Sequence, residues 1–292
     1  MKTTCQSEFK KIKTIFIKKV DAAWVNEEQI DKQWQELNFL SKPDIEIARS
    51  EYSYFENFLN KNGIILQYFP VDESVTMDSI YCRDAAIATD NGMIICNMGK
   101  PARANEPEAE HKAFLEHGIE ILGAIQSPGT VEGGDVAWLD EKTLAVGHTY
   151  RTNDEGIEQL RKLLNPTGIN VISFSLPHYK GVTDVFHLMS ILSPVDKDLA
   201  VVYSPLMPIS LRNELLKRNY SLIEVPEEEF DSMGCNVLAI APRKCLMVKG
   251  NPKTKALLEK ARCEVFEYLG EEISVKGGGG PTCLTRPILR EG

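Results

Sequence analysis

A cysteine near the end of the chain follows four consecutive glycines, in Gly277-Gly-Gly-Gly-Pro-Thr-Cys283, and opens directly onto the apolar run 284–289. Glycines let backbone come close to a ligand or take conformations closed to other residues. A thiol delivered on such a segment is a candidate nucleophile, since the thiolate is the reactive form. Three further polar sites stand out upstream. Asp84 interrupts the apolar stretch 80–88, where a carboxylate is disfavoured in a strand and costly to bury unpaired. Glu132 and Asp135 flank two glycines just before an apolar run, a pattern that suggests a bulge aiming both acids into a cleft. His187 lies among apolar neighbours in Phe186-His187-Leu188-Met189. Taken singly, each has a plainer explanation: a flexible glycine linker, an Arg83–Asp84 surface pair, a polar turn, a core histidine.

Together, a thiolate, an imidazole and several carboxylates suit a cationic, planar electrophile. Carboxylates grip a guanidinium through charge-assisted, forked hydrogen bonds. A cysteine can attack its central carbon, and a histidine can protonate the departing amine, then deprotonate the water that releases the product. Glu132 would orient the imidazole as the third member of a triad does. The same set makes a poor metal site, with one cysteine and no second histidine nearby. No metal or other cofactor is expected.

Bulk composition sets the class. The chain has 292 residues, 43% hydrophobic and 26% charged, which fits a folded globular protein. Its formal charge of -9 argues against nucleic acid or an anionic membrane as partner. Seven cysteines without CxxC spacing suggest reduced thiols rather than a disulfide framework or a zinc site. The first ten residues lack a signal-like apolar core, and no apolar run is long enough to span a bilayer, so the cytoplasm is expected.

The elements that must position these residues repeat. Apolar runs 80–89 and 93–97 flank Asp90-Asn91-Gly92, a strong hairpin turn, and are followed by a helix near 106–117 and a strand at 119–125. The same strand–turn–strand–helix–strand order recurs as 136–139, 143–146, 153–164 and 171–174. It recurs again as 186–192, 199–203, 208–218 and 222–225, and as 236–240, 245–248, 252–261 and 264–268. Strand 284–289 has no partners of its own. Strand 14–18, helix 43–60 and strand 64–69 would complete a fifth copy if the two ends met. A period of roughly 50 residues points to a repeat architecture. The expected fold is a single α/β domain over residues 1–292, a closed ring of five ββαβ units with the first strands lining its axis. A helix near 27–37 falls outside the plan and reads as a covering element. On that ring Asp84, Glu132, Asp135, His187 and Cys283 would converge.

These residues, in this order, resemble the guanidino-group-modifying superfamily, which includes arginine deiminases, dimethylarginine dimethylaminohydrolases and amidinotransferases. The resemblance runs over about residues 80–292 through Arg83-Asp84, Glu132-Gly-Gly-Asp135, His187-Leu188 and the glycine-rich run to Cys283. It implies a five-bladed α/β propeller (pentein fold) with a central active site, in agreement with the repeat. It implies Cys283 as nucleophile, His187 as acid and base, Glu132 as its partner, and Asp84 as a guanidinium contact, with Asp135 shaping its motif. The segment around Arg151 is similar to the dimethylarginine hydrolase segment that grips the substrate carboxylate, and Arg103 resembles a second carboxylate contact. Met189 stands where arginine deiminases and glycine amidinotransferases place an acid, leaving an apolar wall suited to N-alkyl groups. Arg83 before Asp84 is instead deiminase-like. The expected activity is hydrolysis of arginine or a methylated arginine to a ureido product, with amidinotransfer or a non-catalytic binding role as alternatives. A homo-oligomer is compatible with the sequence.

Overall fold

The structure, a computed structural model, describes residues 4–184 and 186–291. Strand β1 (Lys11–Ile17) leads through two short helices, α1 (Val20–Ala23) and α2 (Glu27–Gln33), into the long helix α3 (Ile45–Lys61). Asp44 caps α3 by accepting the Glu46 and Ile47 N–H groups, and Ile45, Ala48, Tyr52, Phe55 and Leu59 give it one buried face. The chain returns as β2 (Ile65–Tyr68), parallel to β1.

Four units of one plan follow. The first is β3 (Ala86–Thr89), β4 (Gly92–Ile95), α4 (Glu106–Glu116) and β5 (Ile121–Ala124). The second is β6 (Val136–Asp140), β7 (Thr143–His148), α5 (Asp154–Leu164) and β8 (Asn170–Ser175). The third is β9 (Leu192–Asp196), β10 (Leu199–Val202), α6 (Ile209–Lys217) and β11 (Ser221–Glu224). The fourth is β12 (Leu238–Ala241), β13 (Lys244–Val248), α7 (Pro252–Lys260) and β14 (Glu264–Tyr268). In each, the first two strands are antiparallel and the helix crosses over to a third strand parallel to the second. The last strand, β15 (Arg286–Glu291), lies antiparallel to β1, so the two chain ends form a fifth sheet ordered β15-β1-β2. The middle strands are buried, as their unbroken apolar runs require.

First strands of different units touch one another, β12 against β9, β9 against β6 and β15 against β3, and β12 also touches β1, the middle strand of the fifth sheet. Among the described residues the five sheets stay separate three-stranded units, and no strand hydrogen-bonds across to make one closed sheet. No described helix is long and apolar enough to cross a membrane.

Two strand expectations need correction. The run 80–89 is a strand only from Ala86, because a 3-10 turn (Met77–Ile80) and a loop carrying Arg83 and Asp84 come first. Likewise 186–192 is mostly a 3-10 turn (Leu188–Ser190) closed by a hydrogen bond from the His187 N–H to the Ser190 hydroxyl, and β9 begins at Leu192. In both places buried apolar side chains belong to turns, which their hydrophobicity alone does not distinguish from strands. The helix expected near 27–37 is α2, and the residues after it, Leu37, Asn38 and Leu40, border the main cavity.

Candidate active site

Each unit brings one polar side chain to a common place on the segment leading into its first strand. Asp84 precedes β3, Glu132 precedes β6, His187 precedes β9, Asn236 precedes β12 and Cys283 precedes β15. Asp84, His187, Asn236 and Cys283 line one cavity of about 430 Å³, with Gly134, Arg151 and Met189 in the same wall. Glu132 lies directly behind His187 and is fully buried.

Glu132 organises the His187 side of the cavity. Its Oε2 is 2.7 Å from His187 Nε2, and its Oε1 accepts the backbone N–H groups of Gly99 and Lys100, each at 3.0 Å. The tautomer that puts a hydrogen on Nε2 is set by this contact. His187 Nδ1 then faces Asp84 Oδ1 at 3.9 Å. Burial works against charge on both partners, but the opposite charges win. Asp135, Asp84 and Glu132 raise the imidazole to about 9, and His187, Arg151 and Arg103 hold Glu132 down to about 2. At neutral pH the pair is imidazolium and carboxylate.

The approach of these groups depends on Gly134. A Cβ there would lie 2.7 Å from Asp84 Oδ1 and would overlap the His187 ring. Gly134→Ala is therefore expected to push the imidazole off its position and cut kcat/KM by about 10²-fold, the scale of a 1 Å misplacement. It should also lower stability by about 1–3 kcal/mol through overpacking. Steady-state assays and thermal melts of the same preparation check both.

Cys283 is half-buried, while the other six cysteines are buried. Its Sγ accepts a hydrogen bond from Asn236 Nδ2 at 3.3 Å, and Asn236 Oδ1 accepts the Thr282 N–H at 3.0 Å. Burial, aided by nearby Asp84, pushes the thiol up to about 11, against the Asn236 hydrogen bond and Arg83. The resting group is a thiol that a bound cation would help ionise.

The glycine run is a packed turn rather than a loose linker. A π-helical turn (Glu271–Val275) precedes it, and Glu51 accepts that turn's first three N–H groups at 3.0 to 3.2 Å. Gly278 has φ +75°, and Gly277 and Gly279 lie so close to the Tyr81 ring that a Cβ would overlap it. A Cβ on Gly280 would fall 2.5 Å from Asn236 Cγ, so the glycines allow the cysteine and its hydrogen-bond donor to meet.

Asp84 has two different oxygens. Oδ2 accepts from Arg103 Nη1 at 2.6 Å, and Oδ1 is buried with no hydrogen-bond partner. An unpaired buried carboxylate oxygen is costly and marks where a donor is needed. The Arg83–Asp84 pair considered from sequence does not form: Arg83 Nη2 bonds both oxygens of Glu8 at 2.9 Å.

Arg103 is also placed differently from expectation. It is buried, with Nε and Nη2 clamped on Glu106 at 2.9 and 2.7 Å, Nη2 also on the Tyr81 carbonyl, and Nη1 on Asp84. With those donors engaged it braces Asp84 instead of offering itself to a carboxylate. Asp135 sits behind the cavity wall, where it accepts the Leu188 N–H at 3.1 Å and the Thr149 hydroxyl at 2.7 Å. It fixes the turn after His187. Arg151 does line the cavity, and its buried Nη1 makes no hydrogen bond, standing 3.5 Å from Glu132 Oε1.

Ligand atoms of Asp84, Glu132 and His187 lie within 4.8 Å of one another, a spacing that could hold an ion. Glu132 and His187 are already bonded to each other, however, and Arg103 and Arg151 stand against the two carboxylates. That environment suits an extended, delocalised cation with several N–H donors better than a compact dication.

Asn236 was not singled out in the sequence. The repeat carried the signal: the other four first strands had each shown an unusual polar residue, and the fourth unit should have had one as well.

Over residues 20–290 the chain matches the sequence family described as N,N dimethylarginine dimethylhydrolase, eukaryotic. It is 25% identical over 291 residues to an uncharacterized protein, YkgA, of Bacillus subtilis strain 168, covering 99% of this chain and 96% of that one. It is also 25% identical over 272 residues to the arginine deiminase of Listeria welshimeri, covering 79% of this chain and 66% of the deiminase. The fold is similar to that of dimethylarginine dimethylaminohydrolase from Pseudomonas aeruginosa, solved with citrulline, at a TM-score of 0.77 and 22% identity over 96% of this chain and 100% of that one. It is similar as well to the N-terminal domain of ArgZ, an arginine dihydrolase of cyanobacteria solved with its product, at a TM-score of 0.81 and 18% identity over 96% and 98%. With the match spanning nearly the whole chain, this protein belongs to the N,N dimethylarginine dimethylhydrolase family of the guanidino-group-modifying superfamily.

Proposed function

We propose that the protein is a hydrolase acting on the guanidino carbon of a guanidino compound of the arginine or methylarginine type. The observation that carries this reading is the unpartnered Asp84 Oδ1, buried in the cavity that Cys283 and the Glu132-backed His187 share. A guanidinium N–H supplies the missing donor, and its positive charge lowers the thiol beside it.

The thiol proton leaves to solvent, and the thiolate forms a C–S bond to the guanidinium carbon. The C–N bond to the departing amine then breaks as the His187 imidazolium gives that nitrogen its proton, leaving a thiouronium on Cys283. The neutral imidazole takes a proton from water, whose oxygen attacks the same carbon. The C–S bond breaks, releasing the thiolate and a ureido product whose remaining water-derived proton passes to solvent. Glu132 holds the imidazole in one orientation throughout. Met189 forms part of the wall, which leaves apolar surface for N-methyl groups. The five units are read as blades of a ring in one domain, supported by contacts between neighbouring first strands and by the sheet that joins the chain ends.

Forming the thiouronium needs both the thiolate, whose thiol stands at about 11 at rest, and the imidazolium, at about 9. For that reason kcat/KM is expected to climb with pH up to about 9, level off, and fall only above about 11. Stability should instead decline as that imidazole loses its proton. The raised imidazole stabilises the fold fully below its unfolded value of about 6.5, and that contribution fades as pH rises toward about 9. Rate profiles and melts over that range report both.

Incubation with arginine or dimethylarginine, with and without glycine or ornithine, tests the reaction class. Citrulline formed without an amine acceptor supports hydrolysis. A product that forms only with the acceptor would make the protein an amidinotransferase.

A further inference from the structure

Lys100 occupies an unusual position in the cavity wall. Its Nζ is 2.6 Å from Asp78 Oδ2 and 3.1 Å from the Leu37 carbonyl oxygen, and all three residues line the cavity. Both side chains of the ion pair are largely buried, Lys100 at 16% exposure and Asp78 at 6%. The Lys100 backbone N–H bonds the Glu132 oxygen that Arg151 Nη1 also approaches. The residue before it, Gly99, packs directly on the Arg151 backbone, where a Cβ would lie 2.5 Å from the Arg151 Cα. Lys100 and Arg151 thus rise from adjoining backbone as two cations in one wall. Arg151 has a buried donor without a hydrogen bond, and two partners leave one of the three ammonium donors over.

Resting on the hydrolase reading of this same cavity, we infer that the substrate ends in a carboxylate carried without an adjacent amino group. Arg151 and Lys100 form a receptor for an anion. An α-ammonium beside that carboxylate would arrive as a third cation, with the Asp78 oxygen and the Leu37 carbonyl already engaged by Lys100. The two other carboxylates of the lining, Asp231 and Asp184, already face a cation: Lys180 is paired with Asp231 at 3.0 Å and its ammonium is further stabilised by the charge of Asp184. Lys100 is therefore a specificity-determining residue, and the favoured substrate class is the ω-guanidino carboxylic acids.

Three compounds of one chain length separate the possibilities: arginine, 5-guanidinopentanoate (arginine without its amino group) and agmatine (arginine without its carboxylate). The expected order of kcat/KM places 5-guanidinopentanoate at least about tenfold above arginine, with agmatine lowest. Lys100→Met keeps the stem but frees Asp78 and Leu37, and should move the ratio at least about tenfold toward arginine, mainly through KM. Arginine matching or exceeding 5-guanidinopentanoate in the unaltered protein overturns the inference. So does an unmoved ratio in a Lys100→Met protein with an unchanged melting curve. Should that variant not fold, the comparison on the unaltered protein decides alone. Preferred turnover of arginine would leave the hydrolase reading standing. Failure of Cys283 to react with any of these guanidines, or with dimethylarginine, would remove both.

Discussion

Cys283→Ala is expected to lower turnover of every guanidino substrate by at least about 10⁴-fold, as removal of a nucleophile does in enzymes that work through covalent intermediates. The fold should survive, because Cys283 is half-buried and Asn236, its side-chain hydrogen-bond donor, keeps its own contact with the Thr282 N–H. A melt within about 1 kcal/mol of the unaltered protein, together with absent product in a ureido assay, is the predicted result. Asn236→Ala should be milder. It removes a donor that favours the thiolate, so the rate falls while some turnover persists at high pH.

Glu132→Gln carries the second large effect. Glu132 is fully buried, and its two oxygens serve different partners, His187 on one side and the Gly99 and Lys100 N–H groups on the other. The amide can keep one set of contacts but supplies no negative charge to the imidazole. We expect a loss of about 10²–10⁴-fold in kcat/KM, the range spanned by general acid–base and triad-partner substitutions. The bend at which the pH profile stops rising should also move from about 9 toward the unperturbed histidine value of about 6.5. A lowered rate with an unmoved bend would mean that Glu132 does not set the imidazole's proton affinity.

Much of the site was legible because the repeat and the chemistry reinforced each other. Asp84, Glu132, His187 and Cys283 each broke an apolar context in or just before an expected first strand, and the structure brings them to one place. Asn236 escaped notice because an asparagine at a strand start is an ordinary turn residue. The side-chain partners were less legible. Arg83 was weighed as the mate of adjacent Asp84, but its carboxylate is Glu8, 75 residues upstream on the segment that enters β1. Arg103 was read as a substrate contact, whereas Glu106 on the next turn and Asp84 claim its donors. Such pairings depend on which residues the fold buries together, and local sequence does not encode them. Lys100 was not singled out in the sequence. Its partners, Leu37 and Asp78, come from a covering segment and a 3-10 turn whose approach no motif announced.

Intact-protein mass spectrometry after rapid acid quench with arginine, dimethylarginine or 5-guanidinopentanoate tests the central claim most directly. The expected result is a transient mass increase equal to the substrate minus its departing amine, located on the peptide containing Cys283 and absent from Cys283→Ala. Product formation with no such adduct at any quench time, or an adduct on another cysteine that persists in Cys283→Ala, would contradict it.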